Sequence, residues 1–74
     1  MPRLPRVSGP KTAAALRRLG FRDHHRVGSH LVMVHADGRR AVVPQHGARK
    51  LRLNTLHRIL REAEVSREEF IQAL

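Results

Sequence analysis

Two glycine-containing dipeptides, Gly28-Ser29 and Asp37-Gly38, cut the stretch from Phe21 to Pro44 into three short apolar-bearing runs. None of these runs is long enough for a helix, and turns this tight leave no room for a crossover between parallel strands. Neighbouring runs must therefore pair antiparallel. The first strand is read as Phe21 to Val27, the second as Leu31 to Val34 with His30 at its first position, and the third as Arg40 to Val43, stopped by Pro44. Asp-Gly is favoured in two-residue hairpin turns, and Gly-Ser supplies the other reversal. Three strands joined in this way need one face covered by something apolar.

The flanks can supply that cover. Ser8 offers an N-cap and Pro10 lies in a first helical turn, so a helix is expected from Gly9 to Leu19, ended by Gly20. Ala13, Leu16 and Leu19 mark its buried side, while Lys11, Arg17 and Arg18 form a solvated face. After a polar loop from Gln45 to Lys50, Asn54 can cap a second helix over Thr55 to Glu64, with Leu56, Ile59, Leu60 and Ala63 on one face. Ser66 and Glu69 form a capping box, with Val65 and Phe70 at the two ends of a hydrophobic staple, and so predict a short last helix. Phe70, Ile71 and Leu74 would pin it to the domain. The fold class is thus α+β in the order αβββαα, with a three-stranded antiparallel sheet covered on one face. Residues 1–6, with Pro2 and Pro5, read as an extended basic arm carrying Arg3 and Arg6, and residues 7–74 as a single domain.

Side-chain alternation then decides what the open face carries. Leu31 and Met33, the longer side chains, suit a helix–sheet gap, which leaves His30, Val32 and Val34 on the other face. In the first strand Phe21 and Val27 share one parity and Arg22, His24 and Arg26 the other. The expected open face is a small apolar patch of Val32 and Val34 beside His30, rimmed by Arg22, Arg26 and Arg40. Such patches mark protein contacts.

Charge narrows the partner. Fifteen basic residues against six acidic ones give a net charge of +9, and thirteen of the fifteen are arginine, whose planar fork suits phosphate. No helix pairs a basic face with a wide, bulky apolar one, which argues against a membrane surface. With two phenylalanines and no Trp or Tyr, the chain offers little for stacking unpaired bases. Reading of an RNA backbone by charge and shape fits better, and Arg22, Arg26, Arg39, Arg40, Arg49 and Lys50 are the expected phosphate contacts. No apolar run approaches the length of a membrane span, the N-terminus lacks the apolar core of a signal peptide, and there is no cysteine. A cytoplasmic protein is the expectation.

Chemistry centres on His30. Imidazole ordinarily titrates near pH 6.5 and can donate or accept a proton near neutrality. A lone histidine with no visible partner is a weak signal, and the bland reading is a polar strand-end residue. The six histidines do not suggest a metal site: His24 and His25 should point oppositely on a strand, no His-x-x-x-His pair falls on a helix, and carboxylates are few. A Ser29–His30 hydrolase pair fails because adjacent strand residues diverge. No phosphate-binding glycine loop or dinucleotide fingerprint is present.

Taken in order, Gly20-Phe21, Gly28-Ser29-His30, the Asp37-Gly38-Arg39 turn, Val42-Val43-Pro44 with His46, the Thr55-Leu56 and Ile59-Leu60 helix, and the tail Val65-Ser66-Arg67-Glu68-Glu69-Phe70 resemble the HicA toxins. The resemblance covers residues 7–74. It implies a fold like the double-stranded-RNA-binding domain, an endoribonuclease cleaving mRNA, and a HicB-like antitoxin as partner; because the residues show no metal site, the expected cleavage is metal-independent and without a cofactor. By it, His30 matches the catalytic histidine, and Gly28 and Ser29 the turn that presents it. A second proton carrier is not implied; His46, Lys50 and water all remain open. Leu31 stands where many members carry a second histidine or an aromatic, Val27 replaces a frequent basic residue, and Asn54 a frequent glycine. The arm before Val7 is outside the pattern. The alternative function is a non-catalytic basic module that binds structured RNA.

Overall fold

The computed structural model describes residues 3–74. Its elements are α1 (Gly9–Arg18), β1 (Phe21–Val27), β2 (His30–His35), β3 (Arg40–Pro44), α2 (Leu53–Ala63) and α3 (Arg67–Ala73). The sheet order is β1-β2-β3, antiparallel throughout, with β2 in the middle.

The helices cover one face of the sheet. Phe21, Leu31, Met33, Ala41 and Val43 point into a core with Ala13, Ala15 and Leu16 of α1 and Leu56, Ile59, Leu60 and Ala63 of α2. Small alanines on α1 allow the helix to lie close to the strands, while the larger side chains of α2 fill the space over β3. Phe70 is fully buried and docks α3, with Val65 buried beside the same core. The Ser66–Glu69 capping box is formed in both directions, each bond 3.0 Å. Ile71 is only half-buried and Leu74 is exposed, so Phe70 is the main apolar anchor of this helix, joined by Ala73, which packs against the core and whose carbonyl accepts from Arg18 Nη1–H (2.8 Å).

Both hairpin turns form, but they differ in kind. Gly28 and Ser29 make a two-residue turn between the paired residues Val27 and His30. Gly28 has a φ of +59°, as the first central position of such a turn requires. At Asp37-Gly38 the loop has three residues rather than two. The Gly38 N–H donates to the His35 carbonyl (2.9 Å), the His35 N–H donates to the Arg39 carbonyl (2.8 Å), and Gly38 has a φ of +98°. That is a turn followed by a glycine bulge, the common three-residue solution. Asp37 keeps a negative φ and uses its carboxylate to hold the Arg39 N–H instead (3.1 Å).

One expectation fails at the start of α2. Asn54 does not cap α2; Arg52 occupies the N-cap position and makes no side-chain cap bond, so the helix starts two residues early. The cause is tertiary. Leu51 is buried and its N–H donates to the Val7 carbonyl (2.8 Å), which aims the chain into the helix immediately after it. The arm is extended but not loose. Leu4 is buried in the core, the Arg6 Nε–H donates to the Leu51 carbonyl (3.2 Å), and Ser8 and Lys50 form an isolated bridge. Arg3 is exposed, and Pro2 lies outside the described residues.

Gly9, the first residue of α1, is buried where the helix meets the end of β3. A Cβ there would run into the backbone carbonyl of Pro44, which has nowhere to retreat within a paired strand. Gly9→Ala should therefore destabilise the fold by about 2–3 kcal/mol, at the upper end of typical overpacking costs. Thermal unfolding would show this as a fall of roughly 10 °C or more in Tm. Gly47→Ala, in open space on a loop, is the strain-only comparison, since Gly47 has a φ of +58°.

Candidate nucleic-acid interface

The open face is built in rows across the three strands. Val27, His30 and Pro44 form one row, His25, Val32 and Val42 the next, and Arg22, Val34 and Arg40 the third. His30 thus stands at one end, about 13 Å along β2 from the Arg22–Arg40 row at ~3.3 Å per residue. Its side chain is exposed, and among the described residues it makes no side-chain hydrogen bond. Its backbone is held on both sides by the strand ladders. The turn that presents it is pinned as well: the Gln45 N–H donates to the Ser29 carbonyl (2.7 Å). That bond ties the Gly28-Ser29 turn to the start of the loop carrying His46, Arg49 and Lys50, all exposed. His30 is consequently a free imidazole on a fixed backbone.

The first strand departs from simple alternation. Asp23 pairs with Met33 and His25 with Val32, so His24 is an extra residue in a β-bulge. The bulge reverses parity along the rest of the strand. Arg22 lies on the open face beside Val34, whereas Arg26 pairs with Leu31 and falls on the opposite side. Val27 moves the other way, onto the open face beside His30, where it is 61% exposed. Arg26 therefore does not rim the patch, and Val27 joins it. The bulge also brings together the two histidines expected to diverge: the Nδ1 atoms of His24 and His25 lie 2.7 Å apart, so one ring donates and the other accepts. Among the described residues no group of three or more metal-ligating side chains comes together.

Val32 was expected on the open face and is there, outside the helix-side core, yet it is buried by its neighbours in the middle row. The exposed apolar surface of this face is accordingly Val27, with half-buried Pro44 in its row, half-buried Val42 in the next and half-buried Val34 in the third. Arg40 is exposed. Arg39, its sequence neighbour, is not an open-face residue. Its Nε–H donates to both Asp37 carboxylate oxygens (3.1 and 2.9 Å), and its Nη1 donates to the carbonyls of Ala63 (2.9 Å) and Glu64 (3.2 Å) at the end of α2. Its guanidinium also lies 5.3 Å from the centre of the Phe21 ring. The Arg39 N–H first, and then its guanidinium, hold the Asp37 carboxyl below its ordinary pKa. Arg17 does the same for Asp23 through a two-point bond of 2.9 and 2.8 Å. Both guanidinium groups are thus engaged with partners within the fold.

A concave feature, which the sequence did not disclose, opens beside Pro44. It is a groove of about 540 Å³ lined by Arg6, His46, Arg49, Lys50 and Arg52. Arg6 and Arg52 come from elements 46 residues apart in sequence, joined here by the seating of the arm.

The arrangement defines a small, strongly basic α+β domain like the double-stranded-RNA-binding domain, with an exposed histidine at the tip of its central strand. Residues 9–65 match the family model described as HicA toxin of bacterial toxin-antitoxin. The chain belongs to the HicA toxin family. Membership brings with it an antitoxin partner. Comparison with curated proteins returned no match. Among the described residues no helix is long and apolar enough to cross a membrane.

The contrast between neighbouring arginines is measurable. Arg39→Ala removes charge-assisted bonds at the end of α2 and a contact over Phe21, and should lower unfolding free energy by roughly 1–3 kcal/mol. Arg40→Ala, at an exposed site with no side-chain bond among the described residues, should change it by less than about 0.5 kcal/mol. Urea unfolding of the two variants checks the assignment.

Proposed function

We propose that this HicA chain is a metal-independent endoribonuclease that cleaves mRNA with His30 and is silenced by a HicB-like antitoxin. The observation that carries the reading is the state of His30. In a chain of this family, the histidine that resembles the catalytic one stands exposed on a rigid strand end, with its ring uncommitted and a basic loop beside it.

The chemistry needs no group beyond the chain and its substrate. The ribose 2′-OH attacks the adjacent phosphorus, forming the new P–O2′ bond as the P–O5′ bond breaks. His30 takes the 2′-OH proton or delivers one to the departing 5′-oxygen. Cationic side chains nearby offset the negative charge that builds on the phosphorane oxygens. His46 is the better-supported second proton carrier, since it lies two residues beyond Pro44, the direct cross-strand partner of His30. Arg49 and Lys50 follow on the same loop, and Arg22 and Arg40 can hold phosphates farther along the strand. Arg26 and Arg39 are left out of this set by the bulge and by the α2 carbonyls.

Positioned proton transfer contributes ~10²–10⁴-fold to a rate. His30→Ala should lose that much cleavage activity while RNA binding and Tm change little. The cut should leave a 2′,3′-cyclic phosphate, proceed in the presence of a chelator, and fail where the scissile ribose is 2′-deoxy or 2′-O-methyl. Full activity without His30 would overturn this mechanism, whereas wild-type protein that binds RNA without cleaving it would leave a non-catalytic RNA-binding module as the function.

The antitoxin reading rests on the apolar residues that run along the open face from His30. An acidic partner seated on Val27, Val34 and Pro44 would bury the imidazole, with charge speeding encounter. Because Val32 is already buried, its replacement would test folding rather than docking. Val27→Asp with Val34→Asp should raise the Kd of the complex at least tenfold with Tm nearly unchanged, as read by titration calorimetry. An unaltered Kd would place the partner elsewhere.

A further inference from the structure

The groove beside Pro44 is built against the stability of the chain. Ser, Thr, Asp or Asn are preferred at a helix N-cap, and acidic residues in a first turn. Here the N-cap of α2 is Arg52, it makes no side-chain cap bond, and the first turn holds no acid. Arg49 and Lys50 stand just before it, so cationic side chains gather at the positive end of the helix. Arg6 adds another from the far side, held in place by its bond to the Leu51 carbonyl (3.2 Å). Among the described residues, Arg49, Lys50 and Arg52 form no side-chain hydrogen bond or ion pair. Unrelieved positive charge of this density, lining a concave surface, is what a polyanion would neutralise.

Its position supplies the direction. The groove includes Pro44, which pairs across the sheet with His30, and its loop is tied to the His30 turn through the Gln45–Ser29 bond. The arm that forms one wall lies before residue 9, outside the segment that matches the family.

We propose that the seated arm, the 46–52 loop and the start of α2 form a backbone-phosphate groove for RNA, in which Arg6 and Arg52 hold the strand on one side of the bond offered to His30. The inference rests on the endoribonuclease reading for its substrate, but not for its test. Arg6 and Arg52 act here as binding residues, and the arm becomes part of the RNA site rather than a leader to it. Phosphate contacts of this kind set register without reading sequence.

The test is equilibrium binding of a short, single-stranded, uniformly 2′-O-methylated RNA to the full chain carrying His30→Ala, over a series of salt concentrations. Adding Arg6→Ala and Arg52→Ala should weaken binding and reduce the slope of log K against log salt by about 1.4, two contacts at ~0.7 each. Arg58→Ala with Arg61→Ala, an equal loss of charge farther along α2, should leave the slope nearly unchanged. Arg52→Ser is the sharper variant, since it cannot be dismissed as unfolding. It supplies the missing cap and should raise Tm while reducing the slope by about 0.7. A slope that Arg52→Ser leaves intact, or that the Arg58 and Arg61 pair reduces equally, overturns the groove. Binding that follows this pattern in a chain whose wild type does not cleave RNA would retain the groove and reject the nuclease. His30-dependent cleavage without any role for Arg6 and Arg52 would do the reverse.

Discussion

The central strand, β2, is paired along its length on both sides, and the remaining structure depends on that double ladder. It commits Leu31 and Met33 to the helices and leaves His30, Val32 and Val34 on the other side. Because one face is buried, a slip of one residue would expose the core side chains, so register is strongly specified. The same pairing fixes the backbone of His30 between Val27 and Pro44. A side chain that is free to move thus stands on a main chain that is not. This combination suits a group that must meet a substrate in a defined place.

Charge is distributed by the same constraint. On the helix side, Arg17 and Arg39 find partners in Asp23, Asp37 and the end of α2, where a guanidinium can satisfy carbonyls that the helix leaves open. Arg22 and Arg40 stand on the open face, and Arg49, Lys50 and Arg52 gather around the 46–52 loop, while Arg26, Arg58 and Arg61 lie elsewhere. The acidic residues are too few to neutralise them. Net charge alone would describe a chain attracted to any polyanion; the fold adds one concave concentration of it, beside Pro44.

Much of the architecture was legible because its causes are local. Gly28-Ser29 and Asp37-Gly38 reverse the chain wherever they occur between apolar runs, and Ser8 and Ser66 cap helices with their own side chains. The parts that were not legible have causes distant in sequence. Nothing in Phe21 to Val27 marks His24 as the extra residue, since a bulge is a property of two strands together. Asn54 is a sound cap by local preference, but it loses to the Leu51–Val7 bond, which starts the helix earlier. The extended basic arm gives no sign of seating until Leu4 is found in the core.

By itself the sequence determined the element order, the αβββαα class, the helix-facing set of Leu31 and Met33, and the placement of His30 at a strand tip. These follow from periodicity and turn chemistry, which act over a few residues. The tertiary structure decided which arginines are available. It turned Arg26 to the helix side through one inserted residue, consumed Arg39 at the end of α2, and joined Arg6 to Arg52 across a groove. Each of those outcomes depends on a contact between segments, and the energy of such a contact has no counterpart in either segment alone.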